Sequence, residues 1–137
     1  MRGTALALLL LAASPASAAE LVITVDGIRS DRGDIRVSVY ASAAEWPDKS
    51  ASANDQTTKA QQGSVAFRYQ LPPGIYAANG YHDENGNGKF DTSLLGLPEE
   101  GYIFSNNVKP FLSAPSFDSA SFKLPSEGAA INMRVQY

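Results

Sequence analysis

Apolar and polar residues alternate along several short stretches of this chain, as they do in half-buried β-strands. The clearest stretch is residues 35–40, Ile-Arg-Val-Ser-Val-Tyr, in which the isoleucine and both valines fall on one face. No segment repeats apolar residues every three or four positions over several turns, so no long amphipathic helix is predicted. The pattern predicts strands at residues 21–25, 35–40, 65–69, 75–82, 117–124 and 130–137.

Turn-forming residues separate these stretches. Asp31-Arg32-Gly33-Asp34 has the chemistry of a hairpin turn, and Pro-Pro-Gly at 72–74 and residues 125–128 mark further turns. Residues 41–62 and 95–107 lack regular alternation and are predicted to be two long surface connections. About seven short strands with turns between them favour an all-β domain, an antiparallel Greek-key β-sandwich.

Trp46, the only tryptophan, lies in the first long connection. We expect it to close one end of the core. The alternative is an exposed platform for sugar stacking, although no second aromatic residue lies nearby in the sequence.

The first 18 residues have the organisation of a secretory signal peptide. Arg2 precedes an apolar run at residues 5–13, which is too short to span a membrane, and Ala-Ser-Ala at 16–18 is a small-residue cleavage signal. We therefore expect cleavage after residue 18, and a single domain over residues 19–137. The mature protein would be periplasmic or extracellular, with no membrane insertion.

The composition narrows the possible partners. Without the signal peptide the chain has ten basic and 14 acidic residues, and it has no cysteine. An acidic chain without basic clusters argues against nucleic-acid binding. The absence of cysteine means that an exported domain would owe its stability to its core and not to disulfides.

The segment with the most chemical content is residues 82–91, His-Asp-Glu-Asn-Gly-Asn-Gly-Lys-Phe-Asp. Asp83, Asn85 and Asn87 stand at alternate positions, as the first three ligands of a calcium loop do, and Gly88 follows for the sharp turn. Lys89 would contribute its backbone carbonyl, and Asp91 occupies the ninth position. This spacing predicts a structural calcium site.

The twelfth position is Leu94, where a helix–loop–helix calcium site has a bidentate glutamate. Glu99 or Glu100 would have to fold back to supply the missing carboxylate, or Glu84 or water would fill the remaining positions. We expect a weak site, with Kd on the order of 10⁻⁴–10⁻³ M. The alternative is a tight turn that needs no ion, because Asn-Gly pairs form such turns by themselves.

His82 is the only histidine. A single histidine among oxygen ligands is a poor zinc or copper site. We expect it to be structural and to form a hydrogen bond with a loop carbonyl.

The chain resembles several known groups of proteins. A strand, a Pro-Gly turn and Ile75-Tyr76 opening the next strand are similar to transthyretin-like secreted sandwiches, and adhesin modules of that fold carry similar calcium loops. Three motifs, HDxNxNGxxD, GxPxEGxxFSN and PxFxxA, resemble a family of small exported bacterial proteins known as a domain of unknown function. This resemblance implies an exported, transthyretin- or Ig-like β-sandwich and no assigned activity.

The three motifs suggest one shared site. Glu100 would close the ion site, with Ser105-Asn106-Asn107 packed at the same end of the sandwich. The alternative is that residues 96–107 form an Ω-like loop tied by its own polar side chains.

Three functions remain open at this point. The first is a non-enzymatic binding module with a calcium loop and an unidentified envelope or extracellular partner, a protein or a glycan. The second is a metal-dependent hydrolase or lyase that uses Asp83, Asp91 and Glu100. The third is a carbohydrate-binding module, with its stacking residues at Trp46, Tyr76, Tyr81 and Tyr102. We expect the first.

Overall fold

The structure, a computed structural model, describes residues 17–47, 54–96 and 98–137. Most of the predicted signal peptide lies outside these residues. No helix in the described ranges has the length and apolar character needed to cross a membrane. The strands are β1 (Ala19–Ile28), β2 (Asp34–Tyr40), β3 (Asn54–Lys59), β4 (Gly63–Leu71), β5 (Gly74–Asp83), β6 (Gly101–Phe104), β7 (Phe122–Leu124) and β8 (Ala129–Arg134); a 3₁₀ helix spans Ser105–Asn107 and helix α1 spans Phe117–Ala120.

The strands form two packed sheets, which confirms the predicted β-sandwich. One sheet has the order β4-β1-β8, and the other has the order β3-β2-β5-β6, with β7 also paired to β5. One strand pair differs from the prediction, because β1 and β8 run parallel, whereas the other pairs are antiparallel.

The core lies between the two sheets. In β1, Leu21, Ile23 and Val25 are completely buried, and the intervening residues are more exposed. Ile35 and Val37 of β2 face them from the other sheet and are also completely buried. The alternation in the sequence therefore identified the core faces of both strands correctly.

Four local predictions were wrong. Residues 95–107 do not form only a surface connection, because β6 and the 3₁₀ helix lie within them. Residues 41–62 do not form only a surface connection, because β3 lies within them. The predicted strand at residues 117–124 is the short helix α1 followed by β7, and the hydroxyl of Ser116 caps α1 by accepting from the Ser119 N–H. Asp31–Asp34 does not close a hairpin, since β1 and β2 belong to different sheets.

Strand β5 is covered on both faces, and its residues from Tyr76 to Asp83 are all buried. Tyr76 belongs to the core between the sheets. Alternation places Asn79, Tyr81 and Asp83 on the opposite, outer face of the five-stranded sheet. Loops cover that outer face, and the candidate site lies there.

Candidate functional site

The pairing of β5 with β6 brings two acidic residues together at one end of the sheet. His82 pairs with Gly101, so Asp83 and Glu100 are the next opposed positions where the two strands diverge. On its other side, Asp83 pairs with Asp34 of β2. Like charges on neighbouring strands repel one another, so this acidic row is electrostatically unfavourable by itself.

Only part of the repulsion is relieved by a cation. The Lys59 ammonium group lies 3.1 Å from a carboxylate oxygen of Asp34. In the described part of the chain, Asp83 and Glu100 have no ion-pair partner.

Asp83 and Glu100 are both deeply buried, with 5% and 7% of their surface exposed. One oxygen of each is satisfied: Asp83 Oδ2 accepts from the Gly88 N–H at 2.8 Å, and Glu100 Oε2 accepts from the Asp91 N–H at 3.2 Å. The other oxygens, Asp83 Oδ1 and Glu100 Oε1, are buried without a hydrogen-bond partner. Leaving a buried charged group without partners costs free energy, so these atoms need an explanation.

Burial and the nearby carboxylates of Asp91 and Asp83 raise the pKa of Glu100 to about 7, although the Asp91 backbone N–H opposes this. Loss of water around the side chain is the larger cause, since it disfavours the charged form. The folded protein therefore resists ionisation of Glu100.

Asp91 is held in its charged form by the two loop asparagines. Asn87 Nδ2 donates to both oxygens of Asp91 at 2.9 and 3.0 Å, and Asn85 Nδ2 donates to Oδ2 at 2.6 Å. These bonds, with that from Asn87 the largest cause, lower the pKa of Asp91.

The same asparagines also cap the backbone of the loop. Asn85 Oδ1 accepts from the Asn87 N–H at 3.1 Å, and Asn87 Oδ1 accepts from the Lys89 N–H at 2.9 Å. These are the bonds expected of an ion-free turn. Each amide oxygen still has a second lone pair.

The structure thus gathers the predicted loop residues into one hydrogen-bonded cluster without arranging them as a metal cage. Within the described ranges, no group of three or more His, Cys, Asp or Glu side chains is placed to hold a metal ion. Asn85 and Asn87 turn their amide nitrogens, and not their oxygens, towards Asp91. Binding of a cation would require these amides to reorient.

The carboxylates considered for the missing position behave differently from one another. Leu94, at the twelfth position of the loop, is fully exposed. Glu100 folds back to the loop, as one of the predicted alternatives requires, and accepts from the Asp91 N–H. Glu84 instead pairs with Arg29, whose Nε donates to Glu84 Oε1 at 3.0 Å. Arg29 and then Ser30 lower the pKa of Glu84 through hydrogen bonds.

His82 forms the predicted hydrogen bond with a loop carbonyl. Its Nε2 lies 2.6 Å from the Arg32 carbonyl oxygen, and its Nδ1 lies 2.7 Å from the Tyr137 hydroxyl. A carbonyl can only accept, so Nε2 carries the proton and Nδ1 accepts from Tyr137. The ring is completely buried and is engaged at both nitrogens.

The motif around Ser105 does not join the acidic cluster, contrary to the shared-site prediction. Ser105 accepts from the Ala78 N–H and donates to the Ala120 carbonyl, while the Asn106 amide donates to the Ser119 and Ser121 carbonyls. These residues attach α1 to β5, because the loop after β6 must satisfy its polar groups locally.

Trp46 closes the outer face of the five-stranded sheet and not the end of the main core. Its ring packs against Tyr40, Phe104 and Phe117 with centroids 5.4–6.3 Å apart, and its Nε1 donates to the Pro115 carbonyl at 2.7 Å. The alternative, a sugar platform, is not assembled, since Tyr76 and Tyr81 are only 6% and 2% exposed.

Sequence reasoning missed an apolar groove on this outer face. The groove has a volume of about 650 Å³ and lies between β5, β6 and the loops that cover them. Asn79 lines it and is 4% exposed. The available signal was an asparagine in the middle of a strand that is otherwise apolar or small, Ala-Ala-Asn-Gly-Tyr.

Comparison with known proteins gives one match. No curated protein and no solved structure is significantly similar to the chain. A family model does match residues 23–132, which is most of the chain. The chain therefore belongs to the family described as an uncharacterized protein conserved in bacteria (DUF2141).

Proposed function

We propose that this chain is an exported, non-enzymatic binding module of the bacterial cell envelope, with the loop between β5 and β6 held by a calcium ion. Export is inferred from the signal-peptide pattern of residues 1–18. The partner would be a protein or another envelope component that contacts the loop end of the sandwich.

The observation that carries the calcium proposal is the pair of buried carboxylate oxygens without partners, Asp83 Oδ1 and Glu100 Oε1. They belong to opposed positions of a hairpin, where two negative charges repel each other. A divalent cation between them would neutralise the repulsion and satisfy both atoms. Asp91, whose backbone N–H donates to Glu100 Oε2, would supply the third carboxylate.

The chemistry of the donor set favours calcium over other cations. All the candidate side chains offer oxygen, and calcium takes six to eight oxygen ligands in flexible geometry. Rotation of the amides of Asn85 and Asn87 would add two neutral oxygens. A cavity of about 260 Å³, lined by Asp91 and Glu100 and also by Arg29 and Arg32, leaves room for water at the remaining positions.

The absence of an enzymatic role is inferred from the commitments of the reactive side chains. His82 is bonded at both ring nitrogens, and the Ser105 hydroxyl is completely buried and both donates and accepts. A nucleophile needs an adjacent base that is free to take its proton. Neither residue is available for that role.

Thermal unfolding in EDTA and in about 5 mM calcium tests the proposal. With the expected Kd of 10⁻⁴–10⁻³ M, binding to the folded state alone should stabilise the protein by about 1–2 kcal/mol. For a domain of this size the midpoint should rise by roughly 5 °C. Asp83→Asn should abolish the rise, since it removes the charge but keeps an acceptor for the Gly88 N–H.

Asp34→Asn is the matched control. Asp34 lies in the same acidic row, but it is already neutralised by Lys59. This variant should respond to calcium as the parent does. An equal response of the parent and Asp83→Asn, or no response of the parent, would refute the calcium proposal.

A further inference from the structure

We infer that the groove on the outer face of the five-stranded sheet is a binding site for a neutral, largely apolar small molecule that carries one hydrogen-bond donor. The inference does not depend on calcium, because the groove and the acidic cluster use different side chains. It names the chemistry of a ligand that the binding-module proposal leaves open.

The size and walls of the groove are those of a ligand site. Its volume of about 650 Å³ lies within the range of small-molecule pockets, which are mostly apolar. Phe90, Tyr102 and Phe104 contribute aromatic surface. The Phe90 ring packs on Tyr81 at 5.7 Å and the Tyr102 ring on Phe104 at 6.0 Å, so the aromatic walls are braced by the sheet.

Apolar side chains at the rim remain exposed to solvent. Leu95 and Leu112 line the groove with 86% and 97% of their surface exposed. Exposing large apolar side chains beside an apolar groove is unfavourable unless something covers them. A bound apolar molecule would bury both.

The charge of the lining restricts the ligand further. The described residues that line the groove include no Asp, Glu, Lys, Arg or His. A charged ligand would lose water there without gaining an opposite charge, which is costly. The lining is also too poor in polar groups to replace the water around a sugar's hydroxyls. The ligand is therefore neutral and mostly hydrocarbon.

Asn79 supplies the polar contact. Its Nδ2 donates to the Pro47 carbonyl at 3.4 Å, which fixes the orientation of the amide, and its Oδ1 is buried without a hydrogen-bond partner. A buried amide oxygen without a partner destabilises the folded state, and a hydrogen-bond donor on the ligand would remove that destabilisation. A hydroxyl or secondary amine on an apolar body matches this requirement.

N-phenyl-1-naphthylamine is a suitable probe because it is neutral and aromatic, with a single N–H donor. Its fluorescence, excited by energy transfer from Trp46, reports binding near the groove, because Trp46 packs against Phe104 at 6.0 Å. We expect saturable binding, in EDTA as well as in calcium. Its N-methylated analogue lacks the donor and should bind about fivefold more weakly.

Two neighbouring leucines provide a matched pair of variants. Leu94 and Leu95 are both exposed, but only Leu95 lines the groove. Leu95→Asn should weaken binding of the probe about fivefold, and Leu94→Asn should leave it unchanged. Both variants should fold as the parent does, since neither removes a buried contact.

Asn79→Leu tests the polar contact. The variant replaces the amide with an apolar group of similar size, so it should bind the probe and its N-methylated analogue with equal affinity. Absence of saturable binding to the parent would overturn the inference, as would equal effects of the two leucine variants. A preference for the N–H probe that survives in Asn79→Leu would overturn the role of Asn79. Failure of the calcium experiment would leave each of these results unaffected.

Discussion

Replacing Glu100 with glutamine should make the calcium-free protein more stable at high pH. Glu100 is 7% exposed, and one of its oxygens has no hydrogen-bond partner. Its pKa of about 7, raised by burial and by the nearby carboxylates of Asp91 and Asp83, means that the folded protein resists its ionisation. Glutamine keeps an acceptor for the Asp91 N–H and offers donors to the same carboxylates.

The sign and size of the effect follow from proton linkage. Between pH 4.5 and about 7, the folded state holds the Glu100 proton while the unfolded chain releases it, so the free energy of unfolding falls as the pH rises. The full loss corresponds to about 3 kcal/mol, most of it between pH 5 and pH 8. Glutamine does not titrate and removes this contribution. The variant should match the parent near pH 5 and exceed it by up to about 3 kcal/mol at pH 8.

Urea unfolding in EDTA at pH 5 and pH 8 measures this difference. Comparing the change between the two pH values in the parent and in Glu100→Gln cancels the contributions of all other titrating groups. Glu99→Gln is the control, since Glu99 is the adjacent carboxylate and is exposed. If the free energy of unfolding falls by the same amount between pH 5 and pH 8 in the parent and in Glu100→Gln, then Glu100 does not have a raised pKa in the folded protein.

Five further substitutions test the packing around the site, each by urea unfolding followed by circular dichroism. Gly33→Ala would place a Cβ 1.8 Å from the Asp83 carbonyl oxygen at a φ of +70°, and should cost at least about 4 kcal/mol, whereas Gly86→Ala, with φ +68° and open space around it, should cost about 1 kcal/mol. His82→Ala should cost about 3 kcal/mol or more, because it removes two buried hydrogen bonds and leaves a cavity, and Tyr137→Phe should cost about 1 kcal/mol. Trp46→Phe keeps an aromatic ring but loses the bond to the Pro115 carbonyl, and should cost about 1–2 kcal/mol. Equal costs for the two glycine variants, or a neutral His82→Ala, would contradict the contacts described.

The sandwich could be predicted because, in its main strands, the residues that face the core are apolar and alternate with more polar residues. In β2, Ile35 and Val37 alternate with Arg36 and Ser38, and the apolar pair lies in the core. Alternation of this kind indicates which residues face the core, and it can be read from the sequence without knowing the partner strands.

Strand β3 and the parallel pairing of β8 with β1 were missed because no alternation of apolar and polar residues indicates them. Strand β3, Asn-Asp-Gln-Thr-Thr-Lys, lies at the edge of its sheet, and none of its residues is fully buried. Its place comes from pairing with β2, which uses backbone groups that every sequence has. The parallel contact of β8 with β1 is likewise set by the path of the chain, so no local pattern could indicate it.

The loop was predictable only as far as its contacts are local in sequence. Asp83, Asn85, Asn87 and Asp91 lie within nine residues, and their spacing alone indicates that they share one turn. Glu100 was one of two acidic residues predicted as candidates to fold back. The register of β5 and β6 selects it, since it stands opposite Asp83. Asn79 could not be assigned to a site, because the groove is formed by loops distant from it in the sequence.

Both proposed sites follow from one feature of β5, which is buried on both faces and yet contains polar side chains. One of these side chains, His82, is hydrogen-bonded at both ring nitrogens. In the described ranges, the buried side-chain atoms without partners belong to Arg36, Asn79, Asp83 and Glu100. Alternation places Arg36, Asn79 and Asp83 on the outer face of the same sheet, and register places Glu100 beside Asp83.

A sequence under selection for stability alone would fill these positions with apolar residues, because an incomplete polar network in a buried place is worse than none. The sites where a sequence departs from the demands of its own fold are the expected sites of function. The unpaired oxygens of Asp83 and Glu100 suit a cation, and the unpaired oxygen of Asn79 suits a donor on an uncharged ligand. Loop residues 84–100 contribute to both places, since Asp91 belongs to the acidic cluster and Phe90 to the wall of the groove. The two sites therefore share a loop but no side chain, and each can be tested without the other.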